Sequence, residues 1–357
     1  MTSLPPLLGA RRAPAERPGG TTPHDPEALD DTSGEAPGDV REGIADNAAG
    51  DVLDDALDDT ELRAARSALA QGRHQAARSL LLRTGDDWDR RGHRLTVLAA
   101  RPHAAARARQ WSAAEPESAD AAALYALAQV RRALHGEEDP DLARAACATA
   151  AARAPADPTP WLGLLQLARD LGTDQEVLGV FAEVRHRHPE HHHAHHLLVA
   201  RLAERPAGRR PESHEVYDLA ELAAARAPAD SPLAVLPVVA YAERHRVLAA
   251  AGLAPADPAA GGHWTGPRAR RMLRAAFDWW LEWEHDDHPR RHLDLNHLAF
   301  ALCRAGRHAE AAALFRRIGE HVTPAPWSYT HDDPPAAFRA ARARALGEEC
   351  PTRSGGE

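Results

Sequence analysis

The strongest constraint on the fold of this chain is a repeat that closes on proline. The octapeptide AAARAPAD occurs at Ala150–Asp157 and again, 73 residues later, at Ala223–Asp230. Four prolines mark successive stretches at intervals of 39, 34 and 39 residues: Pro116, Pro155, Pro189 and Pro228. A period near 34 residues that ends on proline is typical of stacked helix pairs. Chains of this kind build an extended surface and need not carry an active site.

The residue composition also favours helices over strands. Alanine, leucine and arginine dominate the 357 residues, while β-branched and aromatic residues are sparse. All 43 basic residues are arginine, so the lysine of a phosphate-binding P-loop is absent. The three cysteines have no metal-type spacing, and no stretch has the pattern of a secretory signal or a membrane span. We therefore expect a cytoplasmic protein without a membrane partner.

Charge is distributed unevenly along the chain. Residues 1–60 hold 14 carboxylates against 4 arginines, and the remainder is nearly neutral, which argues against nucleic-acid binding. The acidic stretch is rich in proline and glycine and poor in large apolar side chains, a composition that predicts disorder. We expect a disordered acidic arm over 1–57, a helical repeat domain over 58–347 and a flexible tail over 348–357. The apolar residues of 52–57 either dock as a short helix or stay solvated, and we favour the solvated arm.

Helical patterns recur from Thr60 onward, most of them in pairs separated by a turn. The predicted pairs are Trp88–Ala99 with His103–Ala114, Ala121–Leu134 with Leu142–Ala152, Trp161–Leu171 with Gln175–His186, His192–Glu204 with Glu215–Ala225, and Leu293–Arg304 with Ala309–Ile318. Three further helices are predicted at Leu233–Ala250, Arg268–Glu284 and Pro334–Leu346.

Ten residues within these pairs fall at the spacings of one helix–turn–helix consensus. They are Trp88, Gly92, Trp161, Leu164, Gly172, Phe181, Pro189, Gly306, Ala311 and Phe315. Over roughly residues 60–320 the chain therefore resembles the tetratricopeptide-repeat-like superfamily. Its repeats are degenerate, since Arg91 stands in place of a leucine. The resemblance implies an all-α fold, an α-α superhelix built as a solenoid of antiparallel helix pairs.

The resemblance also implies a function. In that superfamily the first helix of each pair lines a concave groove that grips a segment of another protein. The register places eight polar residues near such a groove: His93, Arg131, Gln166, Arg169, His193, His196, Asn296 and Arg304. We expect a non-enzymatic scaffold or adaptor that binds a protein or peptide and needs no cofactor.

Histidine is the strongest chemical signal that this function does not explain. In the segment HRHPEHHHAHH, His192 and His196 lie one helical turn apart and form a weak candidate pair of zinc ligands. A third ligand such as Glu190 or His188 would have to come from across a proline. A second cluster over residues 284–297 is also interrupted by proline. Because no catalytic metal motif is present, we interpret both clusters as polar helix starts and turns.

Two alternative functions follow from these features. The acidic arm could fold back on the arginines and histidines of the groove until a partner displaces it, which would make the protein autoinhibited. Alternatively, the histidine clusters could form the centre of a metal-dependent enzyme, an alternative that the absence of a motif disfavours.

Overall fold

The part of the chain that the structure describes is all-helical, as the sequence predicts. The computed structural model describes residues 53–206, 214–254, 262–283, 287–329 and 331–348, and most of the predicted arm and tail lies outside them. Within these ranges every regular element is a helix and no strand occurs. No described helix combines the length and the apolar character that crossing a membrane requires.

Sixteen helices follow one another in the described residues. The first eight are α1 Thr60–Ala70, α2 Gln75–Thr84, α3 Trp88–Ala99, α4 Ala104–Ala114, α5 Ala119–Leu134, α6 Pro140–Arg153, α7 Thr159–Leu171 and α8 Asp174–Arg187. The others are α9 His192–Ala203, α10 Glu215–Arg226, α11 Leu236–Ala250, α12 Pro267–Glu282, α13 Arg291–Arg304, α14 His308–Ile318, the single turn α15 Pro324–Trp327, and α16 Pro334–Leu346.

These bounds agree with most of the predicted helices to within a few residues. The helix predicted at Leu233–Ala250 differs at its start, where Pro232–Val235 forms a 3-10 turn before α11 begins. Pro237 explains the boundary, because a proline fits the first turn of a helix, where its missing N–H is not needed.

The periodic prolines determine where helices end. Helices α4, α6, α8 and α10 each stop two residues before one of the four prolines. Proline disfavours the helical conformation in the residue that precedes it, so each of these helices stops at this point. Polar caps then start several of the following helices; the Ser118 hydroxyl, for example, accepts a hydrogen bond from the Ala121 amide at 3.2 Å.

Packing follows the order of the helices in the sequence. From α1 to α14 each helix contacts the next, and the odd-numbered helices from α1 to α13 also contact one another in a continuous row. Helix α3 additionally contacts α9, which lies six helices further along the chain. Residues that are far apart in sequence are therefore neighbours at the start of α3 and α9.

Consensus positions of the repeat contribute to this packing. Phe181 and Phe315 are buried in one hydrophobic core that extends from α7 to α16. Trp161 is half-buried against the same core, and the guanidinium of Arg187 lies 4.7 Å from the centre of its ring. Gly306 has a φ of +72°, a conformation that favours glycine at the turn between α13 and α14.

The departure from the consensus at Arg91 has a structural explanation. Its guanidinium is buried and donates to Asp157 at 2.8 Å and to Asp120 at 2.5 Å. Burial opposes the charge, but the two carboxylates outweigh it and raise the pKa of Arg91. Asp157 is the last residue of the first AAARAPAD copy, so this repeat supplies a buried ion-pair partner as well as a helix end.

The end of the predicted acidic arm belongs to the folded structure. Ala56 and Leu57 are buried, and Asp55 forms ion pairs of 2.6 Å with both Arg66 and Arg101. Residues 55–58 form a turn rather than the short helix considered as an alternative. The sequence favoured a solvated stretch here, and this prediction was wrong: Ala56 packs in a core with leucines of α1, Leu57 is buried, and the neighbouring carboxylates are paired.

Candidate functional site

Five of the eight predicted groove residues line one cavity. The cavity has a volume of about 390 Å³ and is bordered by α3, α5, α7 and α9, each the first helix of a predicted pair. The five residues are His93, Arg131, Gln166, Arg169 and His193. Asp55, Thr96, His135, Asp170 and Arg290 complete its polar lining, and leucines of α5 and α9 supply apolar surface. The cavity therefore combines charged groups with an apolar wall.

The carboxylates of this cavity are paired, but two of its arginines have no paired carboxylate among the described residues. Its carboxylates are both engaged, Asp55 by two arginines outside the cavity and Asp170 by Arg169 at 3.0 Å. Arg131 and Arg290, in contrast, have no carboxylate within ion-pair distance among the described residues. The cavity thus has two guanidinium groups that lack a paired anion.

The setting of Arg290 is unusual for an arginine. Burial lowers its pKa to about 10, although the charges of Asp294 and Asp89 favour the protonated form. At neutral pH the group still carries its full charge, and its buried Nε atom has no hydrogen-bond partner. A partly desolvated cation of this kind interacts more strongly with an anion than a fully hydrated one does.

The other three predicted groove residues lie elsewhere. Asn296 is structural: its amide nitrogen donates to two backbone carbonyls, and its oxygen accepts from Trp327 at 2.7 Å. Arg304 covers the ring of Phe300 at 4.9 Å and lines a separate cleft of about 730 Å³. His196 belongs to the cluster described next. Asn296 and Arg304 lie on α13, which packs on α11 at the other end of the row of odd-numbered helices. They therefore do not line the cavity.

A second polar region lies where α9 begins. Here the N-terminal turn of α3, the start of α9 and residues 288–294 converge. We call the seven residues that meet there the His–Asp cluster: Asp89, His188, His191, His192, His196, His288 and Asp294. Six of its seven members come from the two histidine-rich segments, and Asp89 comes from α3, so the structure joins two clusters that are separate along the chain.

Asp89 organises one half of the His–Asp cluster. Its Oδ1 atom accepts the backbone N–H of His192 at 2.9 Å, which caps α9 with a carboxylate from α3. Its Oδ2 atom lies 3.0 Å from Nε2 of His188 and 3.7 Å from Nε2 of His288. Burial opposes ionisation, but the hydrogen bond from His188 and the nearby imidazoles of His288 and His191 hold the pKa of Asp89 well below its usual range.

Asp294 organises the other half. Its Oδ2 atom lies 2.8 Å from Nε2 of His192, and its Oδ1 atom lies 3.3 Å from Nε2 of His196. The rings of His192 and His196 have centroids 4.1 Å apart, and those of His192 and His288 are 4.4 Å apart. Three imidazoles therefore surround one carboxylate in a site from which solvent is almost excluded.

The protonation of this half follows from its burial. Desolvation lowers the pKa of His192 well below its usual range, against the attraction of Asp294. Burial also opposes the charge of Asp294, but contacts with His192 and His196 outweigh it and depress the pKa of that carboxyl. At neutral pH the site thus presents a neutral His192 imidazole beside an ionised carboxylate, the forms in which both groups ligate metals.

One group of three residues within the cluster has metal-ligand geometry. One ligand atom from each of His192, His288 and Asp294 lies within 4.8 Å of the other two. The sequence singled out His192 and His196 but sought the third ligand at Glu190 or His188. The carboxylate comes instead from α13, 102 residues away. Histidines in both segments were the one sequence feature that pointed to a shared site. Nothing in the sequence shows that the two segments lie together in the fold.

Comparison of the chain with protein-family models, with curated proteins and with solved structures gives no match. Function therefore has to be inferred from the cavity and the His–Asp cluster themselves.

Proposed function

We propose that this protein is a non-enzymatic helical scaffold, related in arrangement to tetratricopeptide repeats, that binds an acidic segment of another protein in the cavity between α3, α5, α7 and α9. The observation that carries the proposal is the charge imbalance of the cavity. Its carboxylates are paired, while Arg131 and Arg290 lack a carboxylate partner among the described residues. A partner carboxylate would supply the missing anion.

The two arginines would act differently on such a partner. Arg131 is exposed, so it would attract an acidic segment at a distance and set the salt dependence of binding. Arg290 is partly buried at the cavity wall, so it would contribute mainly after the segment is seated. Gln166 adds donor and acceptor groups, and the neighbouring Leu127 and Leu197 add apolar contact. These features suit a short peptide segment with acidic and apolar side chains.

Binding of a labelled peptide by the full-length protein tests this function. The probe is a fluorescein-labelled peptide of alternating glutamate and leucine, followed by fluorescence anisotropy at low and moderate salt. We expect Arg131→Glu to weaken binding by about tenfold or more and to reduce its salt dependence. Arg270→Glu is the matched control, because Arg270 is exposed on α12 outside the cavity and the substitution changes net charge equally. Equal loss in both variants, or no binding by the wild type, would refute the proposal.

Autoinhibition by the acidic arm is the second candidate, and the surplus of carboxylates in residues 1–60 favours it. Its test is deletion of residues 1–52, because a longer deletion would remove the buried Ala56 and Leu57. Autoinhibition predicts a several-fold gain in affinity for the acidic peptide when the arm is removed. An unchanged affinity would reject autoinhibition and leave the binding function standing.

A further inference from the structure

The His–Asp cluster contains more buried polar atoms than its own hydrogen bonds satisfy. Nδ1 of His192 forms no hydrogen bond with a described residue, and the ion-pair partners of Nδ1 of His191 and Oδ1 of Asp294 lie at 3.3 Å, without hydrogen-bond geometry. Each neutral imidazole has one donor and one acceptor nitrogen, and carboxylates only accept. The cluster therefore has more nitrogen and oxygen lone pairs than it has N–H groups to bond them. Buried polar groups in native proteins rarely lack a partner.

We propose that His192, His288 and Asp294 bind one divalent metal ion of the zinc class, with His196 as the fourth ligand. This site is independent of the ligand of the cavity. The three primary ligand atoms lie within 4.8 Å of one another, so an ion at their centre would be at most roughly 2.8 Å from each. Side-chain movements of less than about 1 Å would bring these distances to the usual range for zinc.

His196 is placed to complete a tetrahedral set. It lies one turn after His192 on α9, and its Nε2 atom is 3.3 Å from the second oxygen of Asp294. Three imidazoles and one carboxylate suit Zn²⁺ and its neighbours Co²⁺ and Ni²⁺, whereas Mg²⁺ and Ca²⁺ prefer oxygen ligands. The ion would replace the His192–Asp294 hydrogen bond. Ligation through Nε2 of His288 would also cost the 3.2 Å contact between its Nδ1 atom and the Arg290 amide.

The surroundings indicate a structural rather than a catalytic ion. Four protein ligands leave no open coordination position, and the ligands come from α9, from the segment before α13 and from α13 itself, so the ion would join these elements. Asp89 Oδ2 lies 3.7 Å from Nε2 of His288, so this carboxylate is beside the site without being one of its four ligands. A narrow cleft of about 30 Å³ is lined by Trp279, Trp280 and Asp294, among other residues.

Metal titration of the untagged full-length protein tests the site. After removal of metal with a chelator, Zn²⁺ binding is measured by calorimetry in the wild type and in the variants His288→Ala and Asp294→Asn. We expect one tight equivalent in the wild type and an affinity at least about 100-fold weaker in both variants. His186→Ala is the matched control, since His186 is exposed at the end of α8, and it should retain the tight equivalent.

A spectroscopic readout keeps the test decisive if a variant fails to fold. The wild type with one equivalent of Co²⁺ should show the intense visible absorption of four-coordinate cobalt. Zn²⁺, but not Mg²⁺, should also raise its thermal unfolding midpoint. A wild type without this absorption would overturn the proposal. So would zinc binding that only His186→Ala reduces, because it would place the ion at surface histidines.

Discussion

The cavity and the His–Asp cluster are built on the same helix, yet their chemistry is opposite. His193 faces the cavity, where Arg131 and Arg290 lack carboxylate partners among the described residues. Its neighbour His192 faces the cluster, where Asp294 is surrounded by imidazoles. Successive residues of a helix point about 100° apart, so one turn of α9 contributes to both regions.

This difference shows how one scaffold can present two kinds of site. The cavity has surplus positive charge beside apolar surface, which suits an acidic peptide. The His–Asp cluster has a surplus of buried electron-pair donors, which suits a metal cation. The two sites should therefore respond to different substitutions, although both depend on the position of α9.

The largest effect is expected from a residue that supports both regions. Phe181 on α8 is buried, and its ring meets that of His195 on α9 edge-on at 5.1 Å. We expect Phe181→Ala to lower the free energy of unfolding by about 3–5 kcal/mol and to weaken ligand binding at both sites. Urea unfolding measures the first effect. Leu178→Ala, at an exposed position of the same helix, should change stability by less than about 0.5 kcal/mol.

A smaller effect, confined to the His–Asp cluster, is expected for Asp89→Asn. The substitution leaves His188 without its carboxylate partner and weakens the cap on α9, so we expect a loss of about 3 kcal/mol in unfolding free energy at pH 7.5. Asp141→Asn is the control, because Asp141 is exposed and its one ion pair with a described residue is with Arg144. If the two variants were equally stable, Asp89 would not hold the helices together.

A third prediction concerns a buried histidine outside both regions. Burial and the charges of Arg304 and His263 lower the pKa of His245 to about 4. As pH falls below 6.5 the unfolded chain takes up a proton that the folded chain refuses until about pH 4, so stability is lost over this interval. Replacement by phenylalanine should remove about 2 kcal/mol of the destabilisation between pH 7.5 and 5. Unfolding curves at the two pH values measure the effect. An identical pH dependence in the variant would mean that His245 binds its proton equally well in the folded and the unfolded chain, which would contradict the prediction.

Much of the fold could be predicted from local signals. The helix limits near Pro155 and Pro189 follow from the way proline ends a helix, and α3 and α16 match their predicted bounds at both ends. Five of the residues that the resemblance placed near a groove line one cavity, on α3, α5, α7 and α9, while their role in binding stays a prediction.

The His–Asp cluster could not be predicted, because it depends on long-range packing. Asp89 and His192 are 103 residues apart, and they meet only because α3 contacts α9 across the row. Local spacing suggested that His192 and His196 act together, but it carries no information on which carboxylate approaches from another helix. The turn at residues 55–58 was missed for the same reason. Its ion-pair partners Arg66 and Arg101 lie later in the chain, and local spacing does not show that they return to it.

The most direct test of the contrast between the two regions is a paired binding measurement on Arg131→Glu and His288→Ala, in which each full-length variant is titrated with the acidic peptide and with Zn²⁺. We expect Arg131→Glu to lose about tenfold or more in peptide affinity and to keep its zinc equivalent. His288→Ala should lose the zinc equivalent and keep its peptide affinity within about threefold. Loss of both ligands in both variants, or of neither, would contradict the presence of two separate sites on α9.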